Sequence, residues 1–281
     1  MLVGIVKHKD RNDQAERTME FERAKLDIDG PVGIVTLNHP EVMNAVSAEM
    51  LGGLMKALDH IEDPKNGVRC MLMTGAGRGF CAGANLQPSG GGPSGSRDAG
   101  SVLETQYHPF LRRLRELPIP FVTAVNGAAA GVGMSFALMG DLVLCARSAY
   151  FLQAFRRIGL IPDGGSTWIL PRLIGKARAM ELSLLGEKLP AEKALEWGLI
   201  NRVFDDADLI GKAKEFARDL ASGPTVALGL IRRLYWESAD NTYEEQLNLE
   251  RQMQRKAGNS ADFGEGVRAF LEKRPAKFKG E

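Results

Sequence analysis

The chain has 281 residues, of which 44% are hydrophobic and 25% are charged, and its net charge is +1. This composition is ordinary for a globular protein with a large core, and the balanced charge gives no broad field for binding nucleic acid or an anionic membrane. No apolar run reaches the 18 or so residues that a membrane span requires, and three cysteines without metal-ligand spacing favour a reducing compartment, the cytoplasm.

The N-terminal half begins with a polar stretch and then shows separate strand and helix patterns. Residues 1–18 lack the long apolar core of a signal peptide, and we expect an N-terminal extension before a folded body that begins at residue 19. The β-branched stretch VGIVTLN (32–38) predicts a strand. SAEMLGGLMKALDHIE (47–62) has apolar residues at helical spacing after a capping serine, so it predicts a helix.

The middle of the chain alternates strands with helices. VRCMLMTGAG (68–77) predicts a strand that enters a glycine turn, and FVTAVNG (121–127) and DLVLCA (141–146) predict two more buried strands. MSFALM (134–139) predicts a helix between the last two. This alternation indicates an α/β fold. The low-complexity stretch 88–100 predicts a surface loop within the domain.

After about residue 176 the pattern is almost entirely helical. The last two long helices, 224–236 and 243–257, carry apolar stripes that need a partner surface. We therefore expect an α/β core over residues 19–210, followed by a helical oligomerisation region over residues 211–281.

Two glycine-rich segments follow predicted strands, TGAGRGFCAGANL (74–86) and AVNGAAAGVGMSFA (124–137). Glycines at such junctions let backbone amides approach a ligand, and two such segments can direct two N–H groups at one oxygen, as in an oxyanion hole. The alternative is that they only permit tight packing. A dinucleotide-binding turn is excluded because Phe80 stands where its third glycine is needed.

The stretch GLIPDGGSTW (159–168) places a single acid, Asp163, directly before two glycines. Two interpretations are open. The Asp163 side chain could cap the following helix, or it could face a substrate. An apolar wall, which would raise the pKa of the carboxyl group, is predicted from Phe151, Phe155, Ile158 and Ile161.

These segments, together with FRRIGLIPDGGSTWILPRLIGKARAMEL (155–182) and AFLEKRPAKFKG (269–280), resemble the crotonase family, the enoyl-CoA hydratase/isomerase superfamily. The stretch around Asp163 is most similar to the phenylacetate-pathway (1,2-epoxyphenylacetyl-CoA) isomerase branch. The resemblance implies a spiral of β-β-α turns, a C-terminal helical trimerisation region, and trimers or hexamers. It also implies an acyl-CoA substrate that brings its own coenzyme A, with no other cofactor and no metal.

The resemblance implies roles for individual residues. The amides of Ala84 and Val132 would hold the thioester oxygen as it becomes an enolate, and Asp163 would be the acid/base. An acyl pocket is implied for Ser135, Phe155, His108, Gly131 and Gly133, and coenzyme A contacts for Ala82, Phe270 and Lys273, the last from a neighbouring subunit. For His108 the alternative is packing at a helix start, and for Lys273 it is a basic, frayed helix.

Two positions depart from the family's hydratases. Ser135 and Phe155 stand where those enzymes carry two glutamates that position and ionise water, and neither side chain is a general base. The departure favours a double-bond isomerase in which Asp163 moves a proton. The alternatives are an enoyl-CoA hydratase with atypical residues and a CoA-binding protein without catalysis.

Overall fold

The structure is a computed structural model that describes residues 17–86 and 98–281. Residues 1–16 of the predicted extension and 88–97 of the predicted loop lie outside the described residues. The first strand begins at Arg17, two residues before the predicted start of the folded body.

The described chain contains two sheets and ten α-helices. The strands are β1 (Arg17–Phe21), β2 (Ala24–Asp29), β3 (Val32–Leu37), β4 (Cys70–Gly75), β5 (Gly79–Cys81), β6 (Phe121–Val125), β7 (Ala128–Ala130), β8 (Leu142–Ala146), β9 (Tyr150–Leu152), β10 (Lys188–Pro190) and β11 (Arg202–Phe204). The helices are α1 (Ala48–Glu62), α2 (Ala99–Val102), α3 (His108–Glu116), α4 (Val132–Leu138), α5 (Ser166–Leu185), α6 (Ala191–Glu196), α7 (Leu209–Ser222), α8 (Thr225–Ser238), α9 (Tyr243–Gly258) and α10 (Ala261–Leu271).

The strands form a spiral. The larger sheet has the order β1-β2-β3-β4-β6-β8-β11, and the smaller one has the order β10-β9-β7-β5. Strands β4, β6 and β8 are parallel neighbours in the larger sheet, and the strand that follows each of them, β5, β7 or β9, lies parallel in the smaller sheet. A helix then leads to the next turn. This repeated β-β-α path confirms the predicted fold class.

Most long predicted elements are present. Strands β3, β4, β6 and β8 and helices α1 and α4 fall where the sequence places them, and the Ser47 hydroxyl accepts the Met50 amide at the start of α1. The short strands β10 and β11 lie in a region that was predicted to be helical. Each has only three residues, which is too short for a recognisable alternation of buried and exposed side chains.

Helix α7 belongs to the layer that covers the larger sheet. It packs on β4 and β6, and its Ala213, Ala217 and Ala221 are fully buried at a four-residue spacing along one face. Helix α7 therefore packs on the α/β core, although it follows the boundary expected at residue 210, and that boundary stays a prediction. Alanine contributes little to a hydrophobic pattern. The sequence pattern therefore assigns this helix to the C-terminal region.

A buried arginine bonds helix α8 to the core. Arg232, which is 5% exposed, donates to the carboxylate of Asp141 at 2.8 Å and to the carbonyl oxygens of Leu114 and Leu117 at the end of α3. Asp141 also accepts the amide of Phe121 at the start of β6. These bonds place α3, α8 and the larger sheet in a fixed arrangement.

The outer helices leave apolar side chains uncovered in the single chain. Helix α9 has no buried residue, and Tyr235 and Leu247 are exposed on α8 and α9. Among the helices of the described ranges, none combines the length and apolarity that crossing a membrane would need.

Candidate active site

The two glycine-rich segments meet at the ends of two parallel strands, β5 and β7. A side-chain carbon placed on Gly83 would lie 3.0 Å from the carbonyl oxygen of Ala130 and 3.8 Å from the Cα atom of Gly131. Gly83 and Gly131 have φ angles of +101° and +53°, which glycine adopts without steric cost. Both the close approach and the backbone conformation therefore need glycine at these positions.

Each of these glycines precedes a residue with a predicted donor amide. Val132 begins α4, where the first amides have no partner within the helix. Val46 bridges to Ala84, and it fixes the segment by donating its amide to Gly83 at 2.7 Å and accepting that of Asn85 at 2.8 Å. Within the described ranges, no backbone or side-chain acceptor bonds the amides of Ala84 or Val132. Both remain available to a ligand oxygen.

Two asparagines bond to the backbone of β5 and to the end of β4. The buried Asn44 side chain donates to the carbonyl oxygens of Gly79 and Phe80 at 2.8 and 3.2 Å, and its own oxygen accepts the amide of His39. Asn126 accepts the amide of Gly75 at 3.2 Å. Neither asparagine carries a recognisable motif in the sequence. Their signal, a polar residue among buried neighbours, becomes visible only once burial is known.

Asp163 lies in the turn before α5, and its carboxyl group does not cap that helix. The N-cap residue is Gly165, with φ +81°, and no side chain bonds the first turn. The Asp163 backbone oxygen accepts the amide of Ser166 instead, at 3.1 Å. Atom Oδ1 of Asp163 is buried, with no hydrogen-bond partner in the described part of the chain. The capping interpretation is therefore wrong.

The surroundings of Asp163 favour its neutral form. Burial raises the pKa of Asp163 to about 6, against a smaller opposing effect from the charge of His108. Phe155 is buried, and its ring lies 3.7 Å from a side-chain carbon placed on Gly131. The predicted apolar wall is only partly correct, because Ile158 and Ile161 are 51% and 81% exposed.

Helix α4 carries three of the predicted site residues, and they have different surroundings. Val132 is its first residue, and Ser135, one turn later, is fully buried with its hydroxyl 3.2 Å from the carbonyl oxygen of Asp163. A side-chain carbon on Gly133 would lie 2.5 Å from the carbonyl oxygen of Cys81 and 2.6 Å from its Cβ atom. Gly133 therefore allows α4 to pack on β5, and its place in the acyl pocket stays a prediction.

The start of α3 faces the Asp163 turn. His108 and Leu111 line a groove of about 300 Å³ together with Gly164 and Gly165. The Nδ1 atom of His108 lies 2.8 Å from a carboxylate oxygen of Glu104. His108 is thus beside the turn, with one ring nitrogen engaged on the outer side.

Tyr107 is a site neighbour that the sequence analysis missed. Its ring is buried, and its hydroxyl lies 3.5 Å from the carbonyl oxygen of Val46, the residue that bridges to Ala84. Burial and the charge of Asp163 raise the pKa of Tyr107 to about 12. Tyr107 ends a π-helical segment, Leu103–Tyr107, and such segments are frequent at functional sites. No periodic pattern in the sequence indicates this π-helical segment.

The predicted coenzyme A contacts lie in two places. The amide of Ala82 donates to the carbonyl oxygen of Met43 at 2.9 Å, so this residue is part of the strand-end structure before Gly83. Phe270 is 82% exposed at the end of α10, and Lys273 follows with φ +56°. The roles of these three residues stay predictions, and that of Lys273 concerns a neighbouring subunit.

Residues 27–281 match the sequence pattern of the enoyl-CoA hydratase/isomerase family. The chain is 50% identical over 248 residues to 1,2-epoxyphenylacetyl-CoA isomerase of Escherichia coli, covering 88% of this chain and 94% of that protein. It is 42% identical over 262 residues to a probable enoyl-CoA hydratase of Rhodobacter capsulatus, covering 93% and 100%. The crystal structure of an enoyl-CoA hydratase from Polaromonas superimposes with a TM-score of 0.83 at 35% identity, covering 91% and 99%.

The chain belongs to the enoyl-CoA hydratase/isomerase family. It is an enzyme of this family, which acts on coenzyme A thioesters. The likeness to the phenylacetate-type isomerase branch is confirmed by the Escherichia coli relative. The site of this family member combines two free amides with a carboxyl group that has one buried, unpartnered oxygen, an arrangement suited to stabilising an enolate and moving a proton.

Proposed function

We propose that the protein is a double-bond isomerase of acyl-CoA thioesters, with Asp163 as the acid/base and the amides of Ala84 and Val132 as the oxyanion hole. The observation that carries the proposal is the state of the Asp163 carboxyl group. Its Oδ1 atom is buried and has no hydrogen-bond partner among the described residues, and the group is not used as a helix cap. A carboxylate in this condition is ready to accept a proton from a bound substrate.

The reaction needs one proton to move in two steps. The Asp163 carboxylate removes a proton from the carbon next to the thioester carbonyl of a 3-enoyl-CoA, and the electron pair of the broken C–H bond shifts onto the carbonyl oxygen. The two amides stabilise the resulting enolate. Asp163 then returns the proton two carbons further along, so the double bond moves into conjugation. Because the pKa of Asp163 is about 6, the group can both take and return a proton near neutral pH.

Two observations favour isomerisation over hydration. The Ser135 hydroxyl is fully buried and engaged with the backbone of the Asp163 turn, and Phe155 presents an apolar ring. Neither side chain can ionise water, so Asp163 would have to do so without a second carboxylate at either position. The relative in Escherichia coli is an isomerase, whereas the relative in Rhodobacter is a probable hydratase, so hydration remains the alternative.

The test is Asp163→Asn, assayed with a 3-enoyl-CoA and with a 2-enoyl-CoA. The substitution keeps the size of the side chain and removes its ability to take a proton, so isomerisation should fall by about 10²–10⁴-fold with little change in acyl-CoA affinity. Asp219→Asn, on the exposed side of α7, is the matched control. Retained isomerisation in Asp163→Asn would contradict the mechanism.

The same assay separates the alternatives. Wild-type enzyme that adds water to the 2-enoyl-CoA and leaves the 3-enoyl-CoA unchanged would be a hydratase. Binding of both thioesters without turnover would indicate a non-catalytic CoA-binding protein.

We further propose that the protein acts in the cytoplasm as a homo-trimer or hexamer, without a metal or a separate cofactor. Ala82, Phe270 and Lys273 would contact coenzyme A, with Lys273 supplied by a neighbouring subunit. The support for assembly is the uncovered apolar surface of the outer helices.

A further inference from the structure

Two buried hydroxyl groups lie beneath the Asp163 turn. Ser135 on α4 and Ser166 at the start of α5 are both fully buried, and their Oγ atoms are 3.4 Å apart. The Ser135 hydroxyl lies 3.2 Å from the carbonyl oxygen of Asp163, and the Ser166 hydroxyl also donates to that oxygen. The turn is thus held through its backbone and not through the Asp163 side chain.

We propose that Ser135 and Ser166 are positioning residues, which hold the Asp163 turn so that its carboxyl group stays off the helix amides and faces the reacting carbon. This inference rests on the proposed function. It assigns a role to Ser135, which cannot act as the general base that glutamate provides in the family's hydratases.

Two acceptors on Asp163, its carboxylate and its backbone oxygen, compete for the amides at the start of α5. An aspartate before a helix normally uses its carboxylate to accept amides of the first turn. Here the Ser166 amide bonds the Asp163 backbone oxygen, and the Trp168 amide bonds the carbonyl oxygen of Gly165. The backbone oxygen is kept in this place by the two hydroxyl groups, so the carboxyl group is not drawn into capping.

The Asp163 turn packs closely against α4. A side-chain carbon on Gly164 would lie 2.7 Å from the Ser135 Oγ atom and 3.2 Å from the Val132 Cγ2 atom. Val132 and Ser135 are three residues apart, on one face of the helix. The helix that presents the oxyanion-hole amide of Val132 therefore also supports the turn that presents Asp163. One rigid element sets the distance between the two groups.

The experiment compares Ser135→Ala with Thr123→Val. Thr123 is also fully buried, and its hydroxyl donates to the carbonyl oxygen of Ala137 in the same helix at 2.8 Å, but it does not touch the Asp163 turn. Both changes remove one buried hydroxyl bonded to a backbone oxygen, so their effects on folding are matched. Only Ser135→Ala frees the turn.

The expected result for Ser135→Ala is a kcat lowered about 10- to 100-fold, because the proton acceptor loses its fixed position. KM should stay within about two-fold, since the coenzyme A moiety binds elsewhere. The apparent pKa of the acid limb of the pH profile is expected near 6 in the wild type. It should fall by about one unit in Ser135→Ala, because the carboxyl group gains hydrogen bonds from water or amides. Ser166→Ala should act in the same direction, and Thr123→Val should leave the acid limb in place.

The decisive readout does not depend on turnover. The Asp163 carboxyl is titrated by NMR in protein labelled with ¹³C-aspartate, and its resonance is assigned by its absence in Asp163→Asn. A lower midpoint in Ser135→Ala, but not in Thr123→Val, supports the positioning role even if Asp163 is not the base. An unchanged midpoint and an unchanged kcat in Ser135→Ala overturn it, and so does an equal change in Thr123→Val. Failure of the proposed function is recognised separately, by retained isomerisation in Asp163→Asn.

Discussion

The carboxyl group of Asp163 is held where its charged form is disfavoured, and this has a consequence for stability. Burial raises its pKa from an ordinary 3.8 to about 6 in the folded chain. Between these values the folded state binds more protons than the unfolded state, so stability falls as pH rises from about 4 to about 6 and is then constant. At neutral pH the folded protein therefore carries a penalty for keeping a carboxylate in this place.

Asp163→Asn should relieve this penalty while it lowers turnover. Since a neutral amide costs less to bury than a carboxylate, we expect the variant to be more stable at pH 8. The free energy of unfolding should increase by on the order of 1 kcal/mol. This is less than the full pKa shift corresponds to, because the side chain is partly exposed to solvent. At pH 4 the two proteins should melt together. Thermal unfolding at both pH values checks this, and a variant that is less stable at pH 8 would contradict the burial argument.

At the scale of elements, the position of α4 depends on a glycine contact with β5. The helix approaches the strand so closely that any side chain at Gly133 meets Cys81. Because the contact is with backbone and Cβ atoms, no rotamer change relieves it. The helix must move, and the Val132 amide moves with it.

Gly133→Ala should therefore destabilise the protein by about 1–3 kcal/mol and lower the isomerase activity of the folded fraction. Gly211→Ala in α7 is the matched control, because a side-chain carbon there has no atom within 4 Å. In that helix the same substitution should be neutral or stabilising by up to about 1 kcal/mol. Urea unfolding and specific activity of both variants are the measurements, and equal stability of the two would show that α4 adjusts freely.

At the scale of the whole molecule, the outer helices expose apolar side chains in the single chain. Apolar side chains are more than 40% exposed at Ile231, Tyr235, Tyr243, Leu247, Phe263, Val267, Phe270 and Leu271. Such a series along three helices exceeds the scattered apolar exposure of an ordinary monomer surface. A second subunit would cover these apolar side chains, and it would also bring Lys273 to a neighbour's coenzyme A.

We expect sedimentation equilibrium to give three or six times the 30.6 kDa chain mass. Tyr235→Glu and Leu247→Glu should shift the protein towards smaller species, because a charge in a buried interface is costly. Lys212→Glu, a charge change on α7, should not. A wild-type protein that sediments as a stable monomer would remove the basis for placing Lys273 in a neighbouring site.

The sequence by itself determined the fold class, the two glycine segments and the position of Asp163 before a helix. These features have strong local signals: buried strands alternate with helices, glycines follow strands, and a lone acid stands before two glycines. The sequence could not decide between a capping and a substrate-facing Asp163. Both interpretations use the same residue in the same place before a helix, and they differ only in where the carboxyl group points.

Only the tertiary structure decided that question, because the deciding atoms come from distant parts of the chain. Ser135 lies 28 residues before Asp163, and its hydroxyl holds the turn from another helix. Gly133 has the same local pattern as Gly131, yet one packs on Cys81 and the other lies against Gly83. Tyr107 enters the site from a π-helical segment without a sequence signature. Burial, orientation and unpaired polar atoms arise from the packing of elements against each other, and no local pattern encodes them.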